Sequence, residues 1–139
     1  MSEENVEVLR SIIVALNAGD MDAVRECYDP DVAFGRELEG WPEPGPVVGR
    51  DAVMSQWERV REPFGDAATL ELVSIIDAGD RVVARQIAHG VGRGPAVHLE
   101  FTTVTTFRNG RSILIDYFWD YAEALEAVGL SEQDVQADS

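Results

Sequence analysis

The chain has no lysine, one cysteine and two histidines among its 139 residues. The absence of lysine excludes catalysis through a lysine Schiff base. A single cysteine, Cys27, excludes an internal disulfide and a multi-cysteine metal site, and packing as a small hydrophobe accounts for it. Two histidines without a matching carboxylate cluster make a poor metal centre, so we expect neither a metal nor a cofactor.

Positive charge is also scarce. Eleven basic residues, all arginine, stand against 26 acidic residues and give a formal net charge of −15. Nucleic acid and anionic membranes are bound through basic patches, so neither is an expected partner. The longest apolar runs fall far short of the ~20 residues of a membrane-spanning helix, and no signal peptide is visible. We therefore expect a cytoplasmic protein.

Helical periodicity dominates the first part of the chain. Apolar residues recur every three or four positions over residues 3–17, which predicts an amphipathic helix. Asp20 is expected to cap a short second helix, and residues 50–64 predict a third. With 139 residues and 45% hydrophobic content, the chain suits one domain with one core.

Alternating patterns dominate the second part. They predict strands over residues 32–38, 68–77, 81–91, 97–108 and 112–121, with Asn109 and Gly110 forming the last hairpin turn. This order predicts an α+β fold, with three N-terminal helices gathered on one face of a curved antiparallel sheet. Asp120 and Glu123 fit a capping box for a short C-terminal helix. We expect residues 1–130, which include this helix, to form the domain and residues 131–139 to form an acidic tail.

The last predicted strand is rich in aromatic residues. Strand alternation places Tyr117, Trp119 and Tyr121 on one face together with two isoleucines, Ile113 and Ile115. Aromatic rings combine a large apolar area with a few polar groups, which suits a pocket for a small, mostly apolar molecule. The proline-rich and glycine-rich loop around Trp41 is expected to close over that pocket.

The choice of inward face on strand 81–91 decides the candidate catalytic residues. We assign the bulkier set of side chains to the cavity, which turns Arg85 and His89 inward. His89 is then a candidate general acid or base, and Arg85 a candidate stabiliser of a developing oxyanion. The candidate substrate-binding residues are Phe34, Arg36, Trp41, Trp57, Thr103, Thr105, Tyr117 and Trp119.

Each candidate also has a purely structural explanation. The alternative for His89 is a rim histidine that hydrogen-bonds to the backbone, and the rings of Tyr28, Trp57, Tyr117 and Trp119 are also typical of core packing. A guanidinium inside an apolar cavity needs a partner. Arg85 and Arg36 therefore either bind an anionic ligand or pair internally with Glu37, Glu39 or Glu100.

Four segments together resemble the SnoaL-like group of the nuclear-transport-factor-2-like superfamily: residues 16–24, 28–32, 48–53 and 108–130. The resemblance covers nearly the whole chain and implies a cone-shaped α+β barrel, a fold that hosts isomerases, cyclases, hydrolases and binding proteins. The catalytic positions of ketosteroid-isomerase-like members fall on Ile12, Arg36 and Thr105, which do not fit that chemistry. The acidic residue of SnoaL-like cyclases has Asp116 and Asp120 as its nearest counterparts, and alternation points both away from the aromatic wall.

These observations leave three functions open. The first is a cofactor-independent enzyme that cyclises, isomerises or hydrolyses a small hydrophobic carbonyl or carboxylate-bearing metabolite. The second is a non-catalytic binding or sensing module for such a metabolite, and the third is a dimeric scaffold with a vestigial pocket. We expect a homodimer formed through the outer sheet face, whose residues are His98, Glu100, Thr102, Val104, Thr106, Asp116 and Phe118.

Overall fold

A computed structural model describes residues 2–38, 47–61, 68–90 and 97–137. Within these ranges the chain forms five helices and six strands, which confirms the predicted α+β class. The helices are α1 (Ser2–Ala18), α2 (Met21–Glu26), α3 (Arg50–Arg61), α4 (Tyr121–Ala127) and α5 (Glu132–Ala137). The strands are β1 (Tyr28–Phe34), β2 (Val47–Val48), β3 (Thr69–Ala78), β4 (Arg81–Gly90), β5 (Val97–Arg108) and β6 (Arg111–Phe118). None of the described helices has the length and apolar character needed to cross a membrane.

The strands form one open sheet in the order β2-β1-β6-β5-β4-β3. Strands β3 to β6 follow one another as an antiparallel meander, as predicted, and β1 adds to β6 in the parallel direction. Asn109 and Gly110 have φ values of 55° and 78°, and they form the tight hairpin turn between β5 and β6.

Both faces of the sheet carry a hydrophobic core. On the inner face, α1 packs Leu9, Ile12 and Leu16 against inward side chains such as Val82 and Ile115. On the outer face, α4 packs Ala124 and Leu125 against Val83, Val104 and Phe118. Two residues of the predicted dimer interface, Val104 and Phe118, are therefore covered by the chain's own helix.

Three segments differ from the prediction: β1, the end of β6 and the C-terminal tail. β1 begins at Tyr28 and ends at Phe34, so the expected turn at Pro30 lies inside the strand. The β1–β6 register shifts between Tyr28 and Ala33, and such an irregular stretch tolerates a proline, which has no N–H to donate. β6 ends at Phe118 instead of continuing to residue 121. Part of the predicted acidic tail forms α5.

The two predicted aspartate caps are confirmed. Asp20 accepts a hydrogen bond from the Ala23 N–H at 3.2 Å, and Asp120 accepts one from the Ala122 N–H at 2.9 Å. Glu123, predicted to complete a capping box with Asp120, accepts a hydrogen bond from Arg36 Nη2 at 3.1 Å. That ion pair links α4 to the segment that follows β1.

Candidate ligand-binding site

A cavity of about 30 Å³ lies between α1 and the inner face of the sheet. One wall is aliphatic, because the apolar stripe of α1 faces the sheet here, and Leu70 of β3 extends that wall. The α1 residues in it are Leu9, Ile12, Ile13 and Leu16. The apolar residues whose spacing predicted the helix thus also form one wall of the cavity.

The opposite wall is a group of aromatic rings around Tyr117. The Tyr117 ring meets Phe34 edge to face at 5.3 Å between centroids and Trp57 at 6.2 Å, and Phe101 lies 6.1 Å away at a shallow tilt. Edge-to-face contact of this kind is a preferred arrangement of neighbouring aromatic rings. The wall is therefore a stable apolar surface with a phenol and an indole at its edge.

Neutral hydrogen-bonding groups complete the lining. Gln86 Nε2 donates to Thr103 Oγ1 at 2.9 Å, and Trp57 Nε1 donates to the Tyr28 hydroxyl at 2.9 Å. Thr105 and Ser112 also face the cavity. None of the described side chains that line it is a carboxylate, an imidazole or a guanidinium.

The two tyrosines of the lining stay protonated at neutral pH. Burial raises the pKa of Tyr28, and the hydrogen bond from Trp57 offsets only part of that rise. Burial likewise raises the pKa of Tyr117 well above its ordinary value, with a further increase from the proximity of Tyr28. Both hydroxyls are therefore neutral donors, and the described lining carries no charge.

Several predicted site residues do meet at the cavity. Trp57, Thr103, Thr105 and Tyr117 line it, and Phe34 contacts the Tyr117 ring edge to face. Strand pairing brings Tyr117 opposite Thr103, so the predicted inward faces of β5 and β6 agree with the structure at these positions. Trp41 belongs to the segment 39–46, which lies outside the described residues.

The predicted inward position of Arg85 and His89 is wrong. On β4, Ala84 pairs with Thr103 and Gln86 with Phe101, which puts the even-numbered residues on the inner face. Arg85 lies on the outer face, where its Nε and Nη2 approach Glu100 Oε1 at 2.6 and 2.5 Å. His89 lies on the same face, with its Nε2 3.0 Å from Glu71 Oε1.

The physical reason is the second core beneath α4. We assigned the bulkier set of β4 side chains to the cavity, but Val83 is fully buried on the outer face against α4. Val82 and Ala84 belong to the core on the inner face, together with α1. When both faces of a strand are covered, the size of its side chains does not show which of them point to the inner face.

Arg36 and Trp119 were also expected inside the pocket, and both lie outside it. Arg36 stacks its guanidinium 4.5 Å from the centre of the Phe118 ring and pairs with Glu123 of α4. Trp119 follows the end of β6, so strand alternation no longer orients it, and it is 46% exposed. The inner cavity thus lacks every cationic side chain that we had expected in it.

The sequence interpretation missed Gln86 and Ser112. Gln86 was hidden by the wrong choice of face on β4. Ser112 is turned inward by a bulge, because the β5–β6 pairing passes from Leu114 opposite Thr106 to Ser112 opposite Phe107 and leaves Ile113 as the extra residue. Strict alternation had instead pointed Ile113 at the cavity, and only an anticipated bulge would have revealed Ser112.

An open cleft of about 470 Å³ lies on the outer face, where β4 and β5 meet the start of α4. The Arg85–Glu100 ion pair forms one side, with the Arg85 guanidinium 4.9 Å from the centre of the Tyr121 ring. Trp119 and Glu132 contribute the other side. Arg85 is held by neighbours of its own chain on two sides here.

Among the described residues, no group of three His, Cys, Asp or Glu side chains is arranged to hold a metal ion. Cys27 is half-buried, and burial together with the adjacent Glu26 raises the pKa of its thiol, with a partial opposing effect from Arg111. The thiol is therefore protonated at neutral pH, which agrees with a packing role.

Comparison with known proteins adds a family and a fold. The chain matches the model of the SnoaL-like domain over residues 9–115. Among solved structures, Bal32a from a soil-derived mobile gene cassette is 25% identical, with a TM-score of 0.77, 86% of this chain and 92% of that chain being covered. No curated protein sequence matches the chain significantly.

Two further solved structures share the fold at lower identity. TerC, co-crystallised with polyporic acid, is 20% identical with a TM-score of 0.72 over 90% of this chain and 98% of that chain. RV0760c from Mycobacterium tuberculosis, in complex with estradiol-17beta-hemisuccinate, is 12% identical with a TM-score of 0.71 over 84% and 94%. The family match runs from α1 into β6 and takes in the described cavity lining except Tyr117, so this chain belongs to the SnoaL-like domain family.

Proposed function

We propose that this chain is a non-catalytic binding module for a small, uncharged ring compound, which it holds in the inner cavity. The observation that carries the proposal is the composition of the cavity wall. One side is aliphatic, the other is an aromatic wall, and the polar groups between them are neutral. Such a lining stabilises an apolar ligand by burial and orients it through a few hydrogen bonds.

Charge selects against acidic ligands in this cavity. A carboxylate moved from water into an apolar site needs a cation or several donors to offset the lost hydration. Arg36 and Arg85 lie on the outer face and are paired with Glu123 and Glu100. An acidic substrate in the inner cavity therefore has no support from the structure, whereas an amide, alcohol or ketone meets suitable partners.

An acid/base enzyme is the less favoured reading. The catalytic roles of His89 and Arg85 stay predictions. Both side chains lie on the outer face of the sheet, on the side opposite the ring wall. Tyr28 and Tyr117 are donors whose raised pKa values oppose proton abstraction by their phenolates at neutral pH. Binding needs only the groups that line the cavity, so it is the function that we propose.

The cavity must widen to admit a ring. About 30 Å³ has room for roughly one or two water molecules. Trp57 is the half-buried member of the ring wall, and it reaches the cavity from α3, so its displacement is the simplest opening. TerC and RV0760c share the fold and hold ring compounds, which supports a ring ligand for this chain. Both of those ligands carry an acidic group, so the preference for an uncharged ligand rests on the lining of this cavity alone.

The test compares naphthamide with naphthoate, two ligands of similar size that differ in charge. We expect the amide to bind about tenfold or more tightly than the acid, because the cavity offers no cation to the carboxylate. Binding is followed by NMR shifts of Thr103 and Thr105 methyl groups and by the fluorescence of the protein. Arg85→Met serves as the control and should leave both affinities unchanged.

Two outcomes would contradict the proposal. One is a preference for the acid that disappears in Arg85→Met, since this would place the ligand on the outer face. The other is the absence of shifts at Thr103 and Thr105 with either compound.

The remaining expectations concern partners and location. We propose a homodimer formed through the part of the outer face that α4 leaves open. The cytoplasmic location stays a prediction, as does the absence of nucleic-acid and membrane partners.

A further inference from the structure

Ser112 has a buried hydroxyl with an unused hydrogen-bonding capacity. Its side chain is fully buried and lines the cavity, and Oγ has no hydrogen-bond partner among the described residues. Its backbone is fixed, because the Ser112 N–H donates to the Cys27 carbonyl at 2.9 Å. The hydroxyl is therefore held at the cavity wall by the strand and cannot swing out to solvent.

Folding alone does not account for a serine here. A buried polar group without a partner costs about 1–3 kcal/mol, and an alanine would fill the site without that cost. The other pairs in the lining show the contrast: Thr103 Oγ1 accepts from Gln86 and the Tyr28 hydroxyl accepts from Trp57. A buried group left open in this way calls for an explanation, and a ligand atom supplies one.

The chain places Ser112 there through a specific distortion. The bulge at Ile113 rotates the start of β6, so that Ser112 takes the inward position that alternation would give to an isoleucine. Ser112 also lies opposite Tyr28 in the parallel β1–β6 pairing. Ser112 and Tyr28 thus bring a hydroxyl and a phenol from neighbouring strands into the lining, which also holds the polar side chains of Gln86, Thr103 and Thr105.

We propose that Ser112 is the specificity-determining residue of the cavity, and that its Oγ hydrogen-bonds to an uncharged hydroxyl or carbonyl oxygen on the ring ligand. This inference rests on the proposed function and makes it more specific. It assigns the oxygen-bearing edge of the ligand to the Ser112 end, and the bare ring edge to the aliphatic side chains of α1.

The experiment uses naphthol and methylnaphthalene, which match in size and differ in the hydroxyl group. The intact chain should bind naphthol about tenfold more tightly, and Ser112→Ala should lose that preference while binding methylnaphthalene as before. Ser55→Ala, which removes an exposed hydroxyl from α3, is the matched control and should keep the preference.

A second measurement does not depend on a ligand. Removing a hydroxyl that has no partner should leave the Tm of Ser112→Ala unchanged or higher, whereas Thr103→Val breaks the bond from Gln86 and should lower it. A fall in Tm for Ser112→Ala as large as that for Thr103→Val would show that the hydroxyl is already satisfied, and would overturn the inference.

The binding outcomes separate the two proposals. If both probes bind and Ser112→Ala keeps the naphthol preference, the role of Ser112 is wrong and the proposed function survives. If neither probe binds the intact chain, the proposed function fails and the inference fails with it.

Discussion

Asp116 shows how one carboxylate is explained by structure without a catalytic role. Its Oδ1 accepts a hydrogen bond from the Arg36 backbone N–H at 2.8 Å, on the face of β6 away from the cavity. A side chain at Gly35 would overlap this carboxylate, so the glycine lets the two segments approach closely. Burial raises the pKa of Asp116, and the Arg36 N–H and the charges of Arg36 and Arg81 offset part of the rise.

This raised pKa gives a signed prediction. The carboxyl group of Asp116 binds its proton more tightly in the folded than in the unfolded protein. Its contribution to folding stability therefore falls as the pH rises from about 4, the pKa in the unfolded state, through the pKa in the folded state. Asp116→Asn keeps the acceptor and removes the ionisation, so it should be as stable as the parent or more stable near about pH 7, with the difference shrinking in acid.

Asp116→Ala removes the acceptor and should cost about 1 kcal/mol at either pH. Urea unfolding of the three proteins at two pH values is the measurement. A loss of stability with asparagine that equals the loss with alanine would contradict the assignment.

At the scale of elements, the sequence was informative where one pattern had one explanation. The stripe of α1, the aspartate caps and the Asn109-Gly110 turn each follow from local physics, and all are present. The prediction of the inward face of β4 failed because α1 and α4 cover opposite faces of the sheet. Both faces of β4 therefore carry buried side chains, and side-chain size does not identify the inward face. Ser112 was missed because the bulge arises from the pairing of β6 with β5, and the sequence of β6 alone does not show that pairing.

The cap of α4 gives the prediction at this scale. Asp120→Ala removes the acceptor for the Ala122 N–H and should cost about 1 kcal/mol of unfolding free energy, whereas Asp120→Ser retains a cap and should lose little. Binding of naphthamide should stay unchanged, because α4 packs on the face opposite the cavity. Unaltered stability together with lost binding would instead support a ligand role for Asp120.

At the scale of the whole molecule, the outer face has two parts. α4 covers the part around Val104 and Phe118, and the part beyond it remains open. We call this second part the open outer face; it consists of Glu71, Arg85, Ile87, His89, His98 and Glu100. Its charges are few and are partly balanced by the Arg85–Glu100 ion pair, in contrast to a net charge of −15 for the chain. A balanced patch is where two such acidic molecules repel each other least.

The predicted homodimer should therefore depend on salt in a defined direction. Screening reduces repulsion between the two acidic copies, so light scattering at micromolar protein should show more dimer at about 0.15 M salt than at about 0.01 M. His98→Asp adds a negative charge to the open outer face and should shift the protein toward monomer. Val14→Asp adds the same charge to an exposed position of α1, 68% accessible, and should leave association unchanged. A monomer at both salt concentrations, or equal effects of the two variants, would rule out this face, because only a contact through His98 distinguishes the two added charges.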